Sequence, residues 1–352
     1  MRAITFYDWM KAALYDPVHG YYQRSDRERW GRTGDYRTSP ERSALFAATF
    51  ARYFARLYEE LGRPREWTIV ECGAGGGDFA FGVLETLAQQ FPSVVEATSY
   101  VVYDVSDDAL RRTRERLVDF GDRVKFTTSF DGIGVDDGIF FSNELLDAFP
   151  VHRVVQTEQG LAELYVDGSS WVEEPLSTPR LAEFCAHYAP ELAVGQVIEI
   201  NLEIDEWFTR VASRLANGFV ITVDYGAEST ELYDATLRPN GTLRGFRRHE
   251  FVDDVLAKPG ECDITASVNW TQVKTVGERV GLEVVDFASQ DKFLLNAGLA
   301  TELEYQLSLA KTDAERAALT TGARDMILPG GMASSFQVLV QRRVKEQNED
   351  VA

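Results

Sequence analysis

The sequence predicts an α/β protein built on a Rossmann-like, doubly wound sheet of seven strands. From residue 67 onward, short apolar runs alternate with amphipathic helices, a pattern typical of βαβ units and a parallel sheet covered on both faces. A glycine-rich turn joins the first of these runs to a helix, and an aspartate follows the second. A chain of 352 residues, 45% of them hydrophobic, is long enough to bury such a core.

A helical N-terminal lid is predicted over residues 1–62. Apolar residues recur at helical spacing in residues 5–15 and 40–61. The polar and aromatic stretch between these helices is too irregular for a regular element, and a loop of this length is usually either functional or disordered. The remainder, residues 63–352, is predicted to form the core domain.

The core elements follow from short apolar runs and helical periodicity. Strands are expected at Trp67–Glu71, Tyr100–Asp104, Val124–Phe126, Gly138–Ser142, Phe219–Asp224, Leu282–Ala288 and Ser335–Gln341. Helices are expected at Asp78–Gln90, Asp107–Phe120, near 202–215 and 271–280, and between 298 and 325. An insertion at about 150–195 starts with alternating apolar and polar residues around Gln159-Gly160, which predicts an antiparallel hairpin. Residues 225–248 are expected to form a long loop.

Composition limits the partners. The formal net charge of −20 repels phosphate backbones and anionic lipid surfaces, so neither nucleic acid nor a membrane is an expected partner. A cationic ligand or a basic protein segment is favoured, although the same charge also serves solubility alone. The three cysteines lack any metal-ligand or disulfide spacing, so no metal site is expected and a reducing compartment fits. Without a signal-like or membrane-spanning apolar run, the expected location is the cytoplasm.

The glycine turn contains Gly73, Gly75 and Gly77 and follows Glu71. A dinucleotide fingerprint starting at Gly73 needs its third glycine at position 78, which is Asp78, and the Gly-Lys-Ser/Thr of a P-loop is also missing. The turn places backbone amides at a helix N-terminus, where a ligand can approach them closely. A tight connection with no ligand is the structural alternative.

This turn resembles the first motif of class I methyltransferases that use S-adenosylmethionine (SAM), which implies SAM as cofactor. The methionine end of SAM carries a sulfonium and an ammonium and no phosphate, so Glu71 suits it where an acid would harm pyrophosphate binding. Asp104 is predicted to accept hydrogen bonds from both ribose hydroxyls. An acid after the second strand favours a nucleoside cofactor over a bare turn.

An acidic loop follows the fourth predicted strand. Asn143, Glu144 and Asp147 lie at the carboxyl end of that strand, the edge where ligands bind in open α/β sheets. If residues 144–147 form a helical turn, both carboxylates share one face and are able to hold a cation. Helix capping by Asn143 beside two solvated acids is the alternative.

Six segments distributed over nearly the whole chain occur in the order in which one known protein family has them. They are Asp16–Tyr22, Gly34–Glu41, Glu71–Gly77, Ser142–Pro150, Asp224–Gly226 and Gly241–His249. Together they resemble the MidA-like family of class I SAM-dependent methyltransferases, bacterial relatives of the mitochondrial complex I assembly factor that methylates an arginine. The resemblance implies protein arginine N-methylation, with a protein substrate such as a respiratory-complex subunit, and allows a homodimer. A small-molecule methyltransferase and a non-catalytic SAM-binding assembly factor are the alternatives.

The resemblance also suggests roles for individual residues. Tyr21 and Thr38 lie in the loop expected to fold over the cofactor, although aromatic packing is an equal explanation for Tyr21. Asn143 is a further candidate for cofactor binding. Glu144 is the first candidate to orient an arginine acceptor and Asp147 the second. His249 is a candidate general base, as are His19 and His152, but structural histidines are more common.

Three positions depart from the family pattern. Ala74 stands in the glycine turn where proline is expected, a change that keeps the glycines. Ser267 and Asn269 stand where the family usually has His and Asp, which leaves room for a different acceptor.

Overall fold

The structure is a computed structural model that describes residues 3–24, 44–248, 250–328 and 335–345. The helices in these residues are α1 Phe6–Tyr15, α2 Ala44–Glu60, α3 Asp78–Gln90, α4 Pro92–Ala97, α5 Asp107–Arg116, α6 Pro179–Tyr188, α7 Glu203–Arg214, α8 Ser229–Leu232, α9 Trp270–Arg279, α10 Gln290–Ala297, α11 Leu299–Leu309 and α12 Asp313–Ile327. The strands are β1 Ile4–Thr5, β2 Trp67–Cys72, β3 Thr98–Tyr103, β4 Val124–Thr127, β5 Val135–Asn143, β6 His152–Thr157, β7 Gly160–Asp167, β8 Ser170–Glu174, β9 Val197–Ile200, β10 Leu215–Ala227, β11 Arg244–Arg247, β12 Glu250–Val252, β13 Asp263–Thr265, β14 Val268–Asn269, β15 Glu283–Ser289 and β16 Phe336–Arg343.

The chain divides into two compact units. The insertion unit comprises Met1–Arg37, Glu144–Trp207 and Asp224–Val276, and the sheet unit comprises Thr38–Asn143, Phe208–Val223 and Gly277–Ala352. This division differs from the boundary predicted at residue 62, because α1 and α2 belong to different units. The predicted insertion at 150–195 lies wholly within the insertion unit.

An eight-stranded sheet is centred on the sheet unit. Seven of its strands have the order β15-β16-β10-β5-β2-β3-β4, and the short β14 pairs in parallel with Gly226 and Ala227 of β10. β10, β5, β2, β3 and β4 pair in parallel, and β15 pairs antiparallel with β16. This order confirms the predicted α/β class and places each of the seven predicted strands in one sheet.

Aromatic side chains pack α2 into the core of the sheet unit. Phe46, Phe50 and Phe54 recur every fourth residue along α2 and are fully buried. The ring of Phe50 lies 5.1 Å from that of Phe141 on β5, and Phe141 stacks at 4.1 Å on Phe79 of α3. Burying each such side chain contributes about 1.5–3 kcal/mol. In this structure, α2 is therefore a core helix of the sheet unit.

The insertion unit contains two smaller sheets. One has the order β1-β7-β6-β9, with β8 paired to β7, and the other has the order β12-β11-β13. The hairpin of β6 and β7, closed where Thr157 pairs with Gly160, confirms the predicted hairpin. β11 forms within the stretch predicted as a loop at 225–248, and β10 continues into that stretch as far as Ala227, so the loop prediction was wrong there.

The described helices and cysteines have two further properties. None of their helices has both the length and the apolar character needed to cross a bilayer. Cys72, Cys185 and Cys262 are buried free thiols.

Candidate active site

The glycine loop requires glycine for conformational reasons. Gly73, Gly75 and Gly77 have φ values of +75°, +55° and +78°, in the left-handed region that other residues rarely adopt. A β-carbon on Gly77 would also lie 2.7 Å from Cγ2 of Thr113. The loop thus brings bare backbone to the carboxyl end of β2 and to the start of α3.

Asp104 is held against this loop. Its Oδ2 accepts a hydrogen bond from the Gly75 N–H at 3.2 Å, and its Oδ1 accepts one from the Ser106 N–H at 2.9 Å. Cys72 pairs in register with Tyr103 on one side and with Ser142 on the other. Because these strands are parallel and end together, the glycine loop, Asp104 and Asn143 lie at one edge of the sheet, where open α/β sheets bind ligands.

Glu71 is a buried acid directly before the loop, with 4% of its surface exposed. The Tyr100 hydroxyl donates a hydrogen bond to its Oε2 at 2.8 Å. Burial raises the pKa of Glu71 to about 8; the nearby Asp104 and Asp78 carboxylates act in the same direction, and the Tyr100 hydrogen bond opposes them. Glu71 therefore keeps its proton at neutral pH unless a cation lies beside it.

These groups fit SAM by their chemistry. Asp104 provides two acceptor oxygens for a ribose, the loop provides backbone N–H groups, and Glu71 provides a carboxyl for the positive methionine end. Acids in this position suit a sulfonium ligand and would repel a pyrophosphate. When bound, SAM supplies a methyl group on a sulfonium with a neutral leaving group.

The acidic loop lies in the insertion unit. Glu144 has a φ of +53°, unusual for a residue with a side chain, and such strain is common at functional sites. Asp147 is 4% exposed, and burial raises its pKa to about 6 against an opposing hydrogen bond with Tyr225. Asp224, fully buried at the end of the adjoining strand β10, accepts the N–H groups of Leu146 and Asp147 at Oδ2.

Asp224 and Tyr225 were assigned no role from the sequence. Burial, followed by the nearby Asp147 and Glu144 carboxylates, raises the pKa of Asp224 well above its ordinary value. Burial, followed by the Asp147 and Asp224 carboxylates, also raises the pKa of the Tyr225 hydroxyl. The available signal was their position, because Asp224 follows an apolar run that becomes the strand next to β5.

Other predicted site residues are placed differently. Tyr21 is fully buried in an apolar cluster with Phe6 and Met10, which gives it a packing role, and its contact with the cofactor stays a prediction. Thr38 and His249 lie outside the described residues.

His152 has a structural environment. It is buried, its Nδ1 lies 2.7 Å from Oε1 of the buried Glu163, and its ring stacks on Tyr7 at 4.7 Å. These contacts give it a role in joining β6, β7 and α1 rather than in proton transfer.

The departure at Asn269 has a structural explanation. Its Oδ1 accepts hydrogen bonds from the Gln272 N–H at 3.1 Å and from the Ser229 hydroxyl at 3.0 Å. Asn269 therefore caps the N-terminus of α9, and asparagine and aspartate are about equally good at this task. Ser267 donates its backbone N–H to Oγ1 of Thr242 at 3.0 Å.

The fold and the glycine-loop site are those of a class I SAM-dependent methyltransferase. Residues 49–288 match the family described as "Putative S-adenosyl-L-methionine-dependent methyltransferase". The chain belongs to this family, the MidA-like group of SAM-dependent methyltransferases, which confirms the predicted family and the predicted cofactor.

Similar proteins cover almost the whole chain. It is 26% identical to the mitochondrial protein arginine methyltransferase NDUFAF7 of Danio rerio, with 95% of this chain and 82% of that protein aligned. It is also 26% identical to the Homo sapiens protein of the same name, over 95% and 78%. A Burkholderia thailandensis crystal structure bound to S-adenosyl-homocysteine superposes with a TM-score of 0.86 at 30% identity, covering 97% of this chain and 88% of that one.

Proposed function

We propose that this methyltransferase transfers the methyl group of SAM to an arginine side chain of a protein. The observation that carries the proposal is the acidic loop, where Glu144 and the buried Asp147 lie in one unit with the buried Asp224 of β10 and interact electrostatically with it. The names of the relatives, protein arginine methyltransferases, support the same acceptor.

Arginine chemistry matches these acids. A guanidinium is charged at any working pH, so carboxylates must orient it and draw positive charge away from the attacking nitrogen. Glu144 takes this orienting role. Methyl transfer to the guanidinium leaves one positive charge on the product and releases one proton.

Asp147 is the acceptor for that proton. Its pKa of about 6 leaves it mostly ionised at neutral pH, close enough to working pH to accept a proton and return it to solvent.

Labelled SAM and two matched peptide pools test the acceptor. One pool contains arginine at varied positions, and the other has lysine at the same positions. We expect label in the arginine pool alone, with mass spectrometry locating the added methyl on a guanidinium. Label that enters the lysine pool equally, or only the small-molecule fraction of a cell extract, would contradict an arginine acceptor.

The finer identity of the acceptor stays a prediction. We propose that the natural substrate is a respiratory-complex subunit. We further propose that the protein is cytoplasmic and that it forms a homodimer. Mass spectrometry of labelled extract proteins, fractionation of tagged cells and light scattering test the three separately.

A further inference from the structure

The side chain of Asp224 connects β10 to the acidic loop by accepting hydrogen bonds from backbone N–H groups of the loop. Its Oδ2 accepts the Leu146 N–H at 3.0 Å and the Asp147 N–H at 3.3 Å, and its Oδ1 accepts the Tyr225 N–H at 2.9 Å. None of its surface is exposed to solvent. Hydrogen bonds to a charged or strongly polar buried acceptor are among the stronger contacts in a fold, and losing the acceptor leaves buried N–H groups unsatisfied.

The loop needs such an anchor because its geometry is strained. Glu144 holds a left-handed backbone conformation that costs a residue with a β-carbon about 1–2 kcal/mol. Strain of this kind persists only where surrounding contacts hold it. The carbonyl groups of the loop are held as well: Tyr15 donates its hydroxyl to Ala148 O at 2.8 Å, and the Ala266 N–H donates to Asp147 O at 3.0 Å.

The anchored loop presents a buried acceptor atom. Within the described residues, Oδ1 of Asp147 has no hydrogen-bond partner, although Asp147 is 4% exposed. A buried carboxylate oxygen without a protein donor is costly in a folded protein, so this atom is available to a donor from outside the chain, such as the acceptor substrate or a water molecule. The direction of that oxygen depends on the backbone position of Asp147, and Asp224 fixes that position.

We propose that Asp224 is a positioning residue for methyl transfer, holding the 144–147 backbone so that Glu144 and Asp147 meet the acceptor correctly. It acts through the Leu146 and Asp147 amides and does not touch the substrate. The proposal goes beyond the arginine acceptor, because the same anchoring would serve any acceptor that these two carboxylates bind.

Three variants separate positioning from ionisation and from stability. Asp224→Asn keeps an oxygen that accepts both amides and removes the ionisable carboxyl group. Asp224→Ala removes the acceptor. Asp234→Ala is the matched control, since Asp234 lies in the same unit and also accepts two backbone N–H groups, from Thr236 and Leu237, away from the acidic loop.

Amide hydrogen exchange measures how firmly the backbone of the acidic loop is held. We expect the amides of Leu146 and Asp147 to exchange about 10- to 100-fold faster in Asp224→Ala, while Asp224→Asn and Asp234→Ala retain wild-type protection. Calorimetry should give the wild-type SAM affinity for all three variants, which also shows that Asp224→Ala is folded.

Turnover decides whether the loop position matters for catalysis. With labelled SAM and the arginine peptide pool, we expect kcat to fall about 100-fold in Asp224→Ala and to stay within about threefold of wild type in Asp224→Asn. Unchanged kcat in Asp224→Ala despite lost protection would overturn the proposal. It would also be overturned if Asp224→Asn kept its protection but lost turnover as severely as Asp224→Ala.

A failure of the arginine-acceptor proposal can be distinguished from a failure of the positioning role of Asp224. If the wild type labels only small molecules in extract, the arginine acceptor is wrong, and the three variants are then compared on that fraction. Should Asp224→Ala bind no SAM, Asp224→Asn carries the test alone, since lost loop protection in that variant contradicts the anchoring.

Discussion

Replacing Glu71 by glutamine should stabilise the protein at neutral and alkaline pH in the absence of SAM. Glu71 is buried with its pKa raised to about 8 from an ordinary value of 4.5. Between these two pH values the folded state holds a proton that the unfolded state has released. The stability of the wild type therefore falls as pH rises through this window. Glutamine removes the ionisation, and its Oε1 still accepts the hydrogen bond from Tyr100.

The size of the effect follows from the same two pKa values. Each pH unit between them changes the free energy of unfolding by about 1.4 kcal/mol. The advantage of Glu71→Gln should be near zero close to pH 4.5, reach about 3 kcal/mol at pH 7 and level off near about 5 kcal/mol above pH 8.

Urea unfolding at a series of pH values measures this difference. Glu85→Gln, at an exposed position on α3, is the matched control and should track the wild type at every pH. A difference between Glu71→Gln and the wild type that does not change with pH would refute the argument, because it would show that Glu71 is already ionised in the folded protein.

Calorimetry on the same variant tests whether the ionisation of Glu71, which destabilises the protein without SAM, favours SAM binding. A bound cation favours the ionised carboxylate, so the wild-type affinity for SAM should rise with pH up to about pH 8, by up to about tenfold per unit. Glu71→Gln should bind SAM more weakly and without this pH dependence. A pH-dependent affinity in Glu71→Gln would assign the proton to another group.

Substitutions at three further positions test the remaining assignments. Gly75→Asp should weaken SAM binding at least about 100-fold in calorimetry, because position 75 has a φ of +55° and the new carboxylate meets Asp104; binding within tenfold of wild type would contradict it. Glu144→Ala should keep SAM affinity and lower kcat by about 10- to 100-fold, and full turnover would remove Glu144 from the mechanism. Asn269→Ala should lower the free energy of unfolding by about 1–2 kcal/mol while Asn269→Asp stays near wild type, and equal losses would argue against the capping role.

Local patterns predicted most of the sheet unit. The predicted limits of α3 match the structure, and seven of the eight strands of the sheet lie where an apolar run was found. Buried parallel strands and amphipathic helices are encoded by neighbouring residues, so they can be recognised without knowledge of the fold. β9 and the short strands β11 to β13 were missed, because strands of 3 or 4 residues carry too little periodicity and are stabilised by partners distant in sequence.

The candidate site was predicted in part for the same reason. Gly73, Gly75, Gly77 and Asp104 belong to local strand-to-helix turns, and the structure brings them to one sheet edge. The hydrogen bonds of Asp224 join it to Leu146 and Asp147, which precede it in the chain by 78 and 77 positions. Sequence patterns indicate no contact over such a separation.

By itself, the sequence determined the fold class, the family and the chemistry of the cofactor, since alternating elements, a glycine turn and acids at strand ends are local properties. Only the tertiary structure decided how the acids behave. In the sequence, nothing distinguishes Glu71 and Asp147 from other acidic residues. In the fold, burial raises the pKa of Glu71 to about 8 and that of Asp147 to about 6. Burial depends on which distant segments pack over a residue, so the protonation of these acids is a property of the folded chain.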